Sequence, residues 1–112
     1  MEKVKLQAQY GLYINGQWRN ASDGATYNAE SPADGSHLAV CAQGSREDVE
    51  AASAAAWEAF KSWKKTTPAQ RAALLNKIAD IIDANKEHLA MVESMDNGKP
   101  IRETMNVDIP MA

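Results

Sequence analysis

The alternation of apolar and polar positions changes character once along the chain, at Gly44. Before it, short β-prone runs alternate with turn residues. Leu12-Tyr13-Ile14 and Gln17-Trp18-Arg19 flank Asn15-Gly16, and an Asn-Gly pair between two such runs predicts a two-residue type I′ hairpin. Ala25-Thr26-Tyr27-Asn28 predicts a short strand. Ser31-Pro32-Ala33-Asp34-Gly35 supplies turn chemistry before a further strand over residues 36–42. After Gly44 the apolar period lengthens to that of helices. Ser45-Arg46-Glu47-Asp48 reads as a capping box, and Val49, Ala52, Ala56, Phe60 and Trp63 then recur at three and four residues as one apolar stripe. Thr67-Pro68-Ala69-Gln70 opens a second helix, with a threonine cap, proline at the first helical position and Gln70 closing the box. Leu74, Leu75, Ile78, Ile81 and Ile82 are its expected buried face, opposed by Asn76, Lys77, Asp80 and Asp83.

Asn85 punctuates the next boundary. Leu89, Met91, Val92 and Met95 carry a shorter helix to Asn97-Gly98, where glycine can take the left-handed conformation that closes a helix. Pro100 starts a fourth segment, and Asp108-Ile109-Pro110 reads as one more helix start, an acidic cap followed by proline. That start has no body behind it, from which we expect the chain to be part of a longer one. The fold class expected of the chain is α+β: an N-terminal hairpin and short strands followed by three to four helices.

Composition narrows the function classes. The chain has 112 residues, 45% of them hydrophobic and 24% charged, as in one ordinary globular domain. A formal charge of -3 is the reverse of the basic footprint that nucleic acid selects. No run approaches the ~20 apolar residues of a membrane span, and residues 1–11 lack the apolar core of a signal peptide. The single cysteine, Cys41, excludes an intramolecular disulfide and suits a reducing, cytoplasmic setting.

Little chemistry can be built from local patterns. The glycines at 11, 16, 24, 35, 44 and 98 form no GxGxxG or GxxxxGK[ST] phosphate cradle. His37 and Cys41 share a face of the same expected strand, but four residues of extended chain separate them by ~13 Å, too far for a nucleophile and its base. Cys41 reads as a small packed hydrophobe. His88 has acids near it at no metal-ligand spacing and reads as a surface histidine. Trp57, Phe60 and Trp63 read as core or interface residues, and Lys61, Lys64 and Lys65 as a solvated helix end.

The run Glu93-Ser94-Met95-Asp96-Asn97-Gly98-Lys99-Pro100-Ile101-Arg102-Glu103-Thr104 is more distinctive than a helix end requires. It resembles the DNGKP motif of the aldehyde dehydrogenase superfamily, and Ile101-Arg102-Glu103-Thr104 with Asp108-Ile109-Pro110 resembles the bacterial acetaldehyde dehydrogenase branch. The hairpin Tyr13-Ile14-Asn15-Gly16-Gln17-Trp18, the Ser31–Gly35 turn, the Asp48-Val49 helix start and Arg71-Ala72-Ala73-Leu74-Leu75 fall in the family's order.

The resemblance implies an α/β parent fold and a subunit several times longer than this chain. Residues 1–11 would be an N-terminal extension, and 12–112 the first part of the NAD(P)-binding domain. It also implies an oxidoreductase, homo-oligomeric when complete, that converts acetaldehyde or another short aliphatic aldehyde to the acid with NAD or NADP. A cysteine attacks the aldehyde to form a thiohemiacetal, and a glutamate activates the hydrolytic water. Both catalytic residues fall beyond position 112, so neither a catalytic nor a cofactor-binding residue is expected here. Carried over by position, a structural K or Na ion would take Asp96 and the backbone carbonyls of Ala29 and Glu30, whose hard oxygens suit it. The 112-residue chain should self-associate through the helices at 46–64 or 68–84. A free-standing α-helical interaction module is the competing expectation.

Overall fold

The computed structural model describes residues 4–112. The α+β class holds: among the described residues five short strands precede the helices. The strands are β1 (Gln9–Tyr10), β2 (Leu12–Ile14), β3 (Gln17–Arg19), β4 (Thr26–Glu30) and β5 (His37–Ala42). The helices are α1 (Arg46–Trp63), α2 (Pro68–Ala84) and α3 (Lys86–Asn97), followed by α4 (Ile101–Glu103), a π-helical turn (Thr104–Asp108) and α5 (Ile109–Met111). The chain divides into two compact units.

The first unit holds Gln7–Ala29 and Ala39–Thr66. Its hairpin forms where Asn15-Gly16 predicts it. Asn15 and Gly16 have φ of 53° and 76°, as a type I′ turn requires, and set the register Leu12↔Arg19, Tyr13↔Trp18, Ile14↔Gln17. The Tyr13 and Trp18 rings meet across this pair at 5.0 Å. β1 pairs in parallel with β5, Gln9↔Val40 and Tyr10↔Cys41, in a sheet of order β1-β5-β4. Part of the expected extension over residues 1–11 is therefore a strand, while residues 1–3 lie outside the described residues. Helix α1 begins at the capping box read from the sequence: Ser45 Oγ accepts from Asp48 N–H, and the Asp48 carboxylate accepts from Ser45 N–H.

The second unit holds Glu30–Leu38 and Thr67–Ala112, with Val4 to Leu6. Helix α2 also starts at its expected box, Thr67 with Gln70, with Pro68 at the first helical position. Helix α3 ends on Gly98, at φ 79°, whose N–H donates to Ser94 O at 3.0 Å. Ala90 and Met91 of α3 are buried, as is Thr104.

Two expectations about packing are corrected. Leu74, Leu75, Ile78 and Ile81 of α2 are exposed, Leu75 to 66%, and only Ile82 is half-buried. Val49, Phe60 and Trp63 of α1 are exposed as well, and its one buried residue is Asp48. Helical period says which face is apolar but not what covers it. Among the described residues α2 packs chiefly on α3 and α5, and α1 chiefly on β2, and most of each stripe stays exposed.

The helix start at Asp108 is also corrected. Asp108 has helical φ and ψ of −63° and −55°, and the helical path runs through it from Ile101 to Met111. Its carboxylate makes no cap hydrogen bond and accepts instead from Lys99 Nζ at 2.7 Å. The turn before Pro110 is widened to the π form, with Ile109 N–H donating to Thr104 O. A wide turn gives the proline ring, which clashes with the carbonyl four residues back in a regular helix, more room.

Candidate functional site

Two polar clusters stand out, one in each unit, and neither is a nucleophile with a base. In the first unit Asp48, 2% exposed, accepts hydrogen bonds from Arg19, Ser22 and Ser45. Arg19 Nη2 donates to Oδ1 at 2.9 Å, Ser22 N–H to both oxygens at 3.1 Å, and Ser45 donates from its N–H and Oγ to Oδ2, each at 2.9 Å. The cap of α1 thus also fastens β3 and the segment after it. Amide donation from Ser45, then from Ser22, with the Arg19 charge beside it, outweighs burial and lowers the Asp48 carboxyl to about 2 from the ordinary 3.8. Among the described residues no buried polar side-chain atom lacks a partner. The sequence disclosed the Ser45 half of this cluster. It gave no sign of Arg19 and Ser22, which lie 29 and 26 positions away.

In the second unit the DNGKP segment is held on both flanks. Ser94 Oγ and the fully buried Thr104 Oγ1 share a hydrogen bond of 2.9 Å, and Thr104 Oγ1 also donates to Ile101 O at 3.2 Å. Asn97 Oδ1 accepts from Lys99 N–H at 2.8 Å. Lys99 reaches Asp108, and that hydrogen bond raises its pKa. A β-carbon on Gly98 would stand 3.0 Å from Pro32 Cγ, so the end of α3 rests against the Ser31–Gly35 turn. The segments carrying Glu30 and Asp96 thereby approach each other within this unit. The Asp96 side chain is exposed and makes no hydrogen bond or ion pair among the described residues. Ala29 closes the strand portion of the first unit.

The remaining sequence candidates fall apart or prove local. His37 and Cys41 sit four residues apart on β5, His37 exposed and Cys41 half-buried. His88 borders a hollow of about 750 Å³ at the start of α3 with Asp83, Lys86, Glu87 and Met91. Among the described residues no group of three or more His, Cys, Asp or Glu could hold a metal ion. Trp57 and Phe60 meet edge to face at 5.9 Å on the exposed side of α1, and Lys64 Nζ lies 5.7 Å over the Phe60 ring. Lys61 pairs with Glu58. No helix described is long and apolar enough to cross a membrane.

Residues 18–112 match the model of the aldehyde dehydrogenase family. The chain belongs to the aldehyde dehydrogenase family. It is 44% identical over 110 residues to a long-chain-aldehyde dehydrogenase of Acinetobacter sp., covering 98% of this chain and 22% of that protein. It is 42% identical to an EPTC-inducible aldehyde dehydrogenase of Rhodococcus erythropolis, covering 97% and 22%. Among solved structures, PnpE from Pseudomonas sp. WBC-3 superposes with a TM-score of 0.88 at 41% identity, over 91% of this chain and 21% of PnpE. An indole-3-acetaldehyde dehydrogenase complexed with NAD+ superposes with a TM-score of 0.89 at 36% identity, over 94% of this chain and 22% of its own. The aldehyde dehydrogenase chain thus shares the solved family fold and spans about a fifth of the length of the relatives it matches.

Proposed function

We propose that the chain is the N-terminal part of an NAD(P)-dependent aldehyde dehydrogenase, with residues 12–112 contributing outer elements of its cofactor-binding domain. The observation that carries this reading is the family match over residues 18–112 together with a neighbour of the same fold complexed with NAD+. The reaction we assign to the whole enzyme is oxidation of acetaldehyde or another short aliphatic aldehyde to the carboxylic acid, in the cytoplasm. The dinucleotide, NAD or NADP, accepts the hydride. No residue of this chain is assigned to it, because neither glycine-rich phosphate cradle occurs in the sequence. No residue here is assigned to catalysis. The chain's own residues hold shape: Asp48 locks the hairpin to α1, and Gly98, Lys99 and Thr104 fix the path out of α3.

Asp96, with the backbone carbonyls of Ala29 and Glu30, is our candidate set for a structural K or Na ion. The exposed apolar faces of α1 and α2 support self-association of the isolated chain and oligomer formation by the whole enzyme. The same faces favour the second reading, a free-standing interaction module. One experiment separates the two. The reading frame of the gene is followed past codon 112 and its full product is assayed for NADH or NADPH formation from short aldehydes, beside the 112-residue chain. Activity in the longer product alone supports the enzyme reading. A stop codon after Ala112, or cofactor reduction by the 112-residue chain, overturns it. In the longer enzyme, Asp96→Ala is expected to abolish any gain in thermal stability from added potassium.

A further inference from the structure

The sequence contains two Asn-Gly pairs, Asn15-Gly16 and Asn97-Gly98, and the fold treats them in opposite ways. An Asn-Gly pair is the most exposed of peptide linkages to spontaneous deamidation, because glycine leaves its own amide nitrogen unscreened by a side chain. We propose that Asn15-Gly16 is a self-modification site of this protein, while Asn97-Gly98 is shielded by the end of α3.

Three bonds hold the shielded pair. Gly98 N–H, the attacking group, donates to Ser94 O at 3.0 Å; the Asn97 amide donates to Glu93; and Asn97 Oδ1 accepts from Lys99 N–H at 2.8 Å. Asn97 is also the last residue of α3, so bringing Gly98 N against Asn97 Cγ requires that turn to unwind. At the hairpin tip the constraints are fewer. Asn15 and Gly16 are both exposed, and no turn hydrogen bond among the described residues engages Gly16 N–H. A β-carbon on Gly16 would meet nothing within 4 Å, so the space beside the attacking nitrogen is open.

The reaction needs only water. Gly16 N attacks Asn15 Cγ, its proton passes through solvent to the departing amide, the Cγ–Nδ2 bond breaks and ammonia leaves. Water then opens the succinimide at either carbonyl, giving aspartate or isoaspartate. Aspartate adds a negative charge beside a hollow of about 360 Å³ lined by Tyr13, Ile14 and the Ala52, Ala55, Ala56 and Ala59 face of α1. Isoaspartate adds a methylene to the main chain inside the turn. It breaks the register that pairs Tyr13 with Trp18 and Leu12 with Arg19, the residue that reaches Asp48.

The test is peptide mapping by mass spectrometry of the 112-residue chain, aged in mildly alkaline buffer below its unfolding transition, with a second sample aged in urea. Three extra local bonds at Asn97 make conversion at Asn15 faster on the order of a hundredfold in the folded sample. In urea the two rates converge, which shows that the difference comes from the fold and not from neighbouring residues. Conversion at Asn97 equal to or faster than at Asn15 in the folded sample overturns the proposal. So does conversion of both sites in urea with neither changing in the folded chain.

Discussion

Replacing Gly98 by alanine tests the end of α3 and its seat on the Ser31–Gly35 turn in one measurement. Gly98 sits at φ 79° and ψ 6°, a conformation that costs an L-residue with a β-carbon about 1 kcal/mol. The new methyl would also stand 3.0 Å from Pro32 Cγ, inside ordinary contact. Pro32 is exposed in a turn and can retreat, so this part adds less than about 1 kcal/mol. The sum is about 1–2 kcal/mol. At about 4–8 °C per kcal/mol for a domain of this size, the thermal midpoint should fall by about 4–16 °C. Thermal and urea unfolding followed by circular dichroism measure it. A second arm divides the two causes: in a Pro32→Ala background the contact is gone, and Gly98→Ala should cost only about 1 kcal/mol. Gly98→Asn should cost less than Gly98→Ala, since asparagine tolerates the left-handed region. A neutral or stabilising Gly98→Ala would refute the left-handed cap, and an equal cost in both backgrounds would refute the contact with Pro32.

Three other outcomes are expected. The folded Asp48 carboxyl lies near 2, below its unfolded 3.8, so its contribution is fully present above pH 3.8 and is lost as pH falls toward 2; Asp48→Asn should flatten the acid limb of stability, read from urea midpoints across that range. Leu75→Lys with Ile78→Lys should leave helix content unchanged, because both side chains are exposed, and shift the sedimenting species of the 112-residue chain toward monomer. Thr104→Val should cost about 1 kcal/mol through the hydroxyl shared with Ser94, and a cycle with Ser94→Ala should return most of that as coupling.

The order in which the family's motifs occur was legible in the sequence, and the match over residues 18–112 rests on the same stretch. The candidate ion ligands were legible only through that resemblance, since two of the three are backbone carbonyls with no side-chain signal. The polar network around Asp48 was half legible. Its capping box spans four residues and is written locally, but Arg19 and Ser22 reach it only because the hairpin folds against α1.

What the sequence by itself determined is the set of features settled within about four residues. The Asn15-Gly16 turn, the two capping boxes and the left-handed close at Gly98 depend on steric limits and hydrogen bonds that neighbouring residues satisfy alone. Tertiary structure decided the rest. It paired β1 with β5 across thirty-one positions, carried the helical path through Asp108 and set its carboxylate against Lys99, and left the apolar faces of α1 and α2 uncovered. A hydrophobic period fixes the direction in which a helix seeks cover. Burial itself depends on which other surface arrives there, and no residue within the helix carries that information.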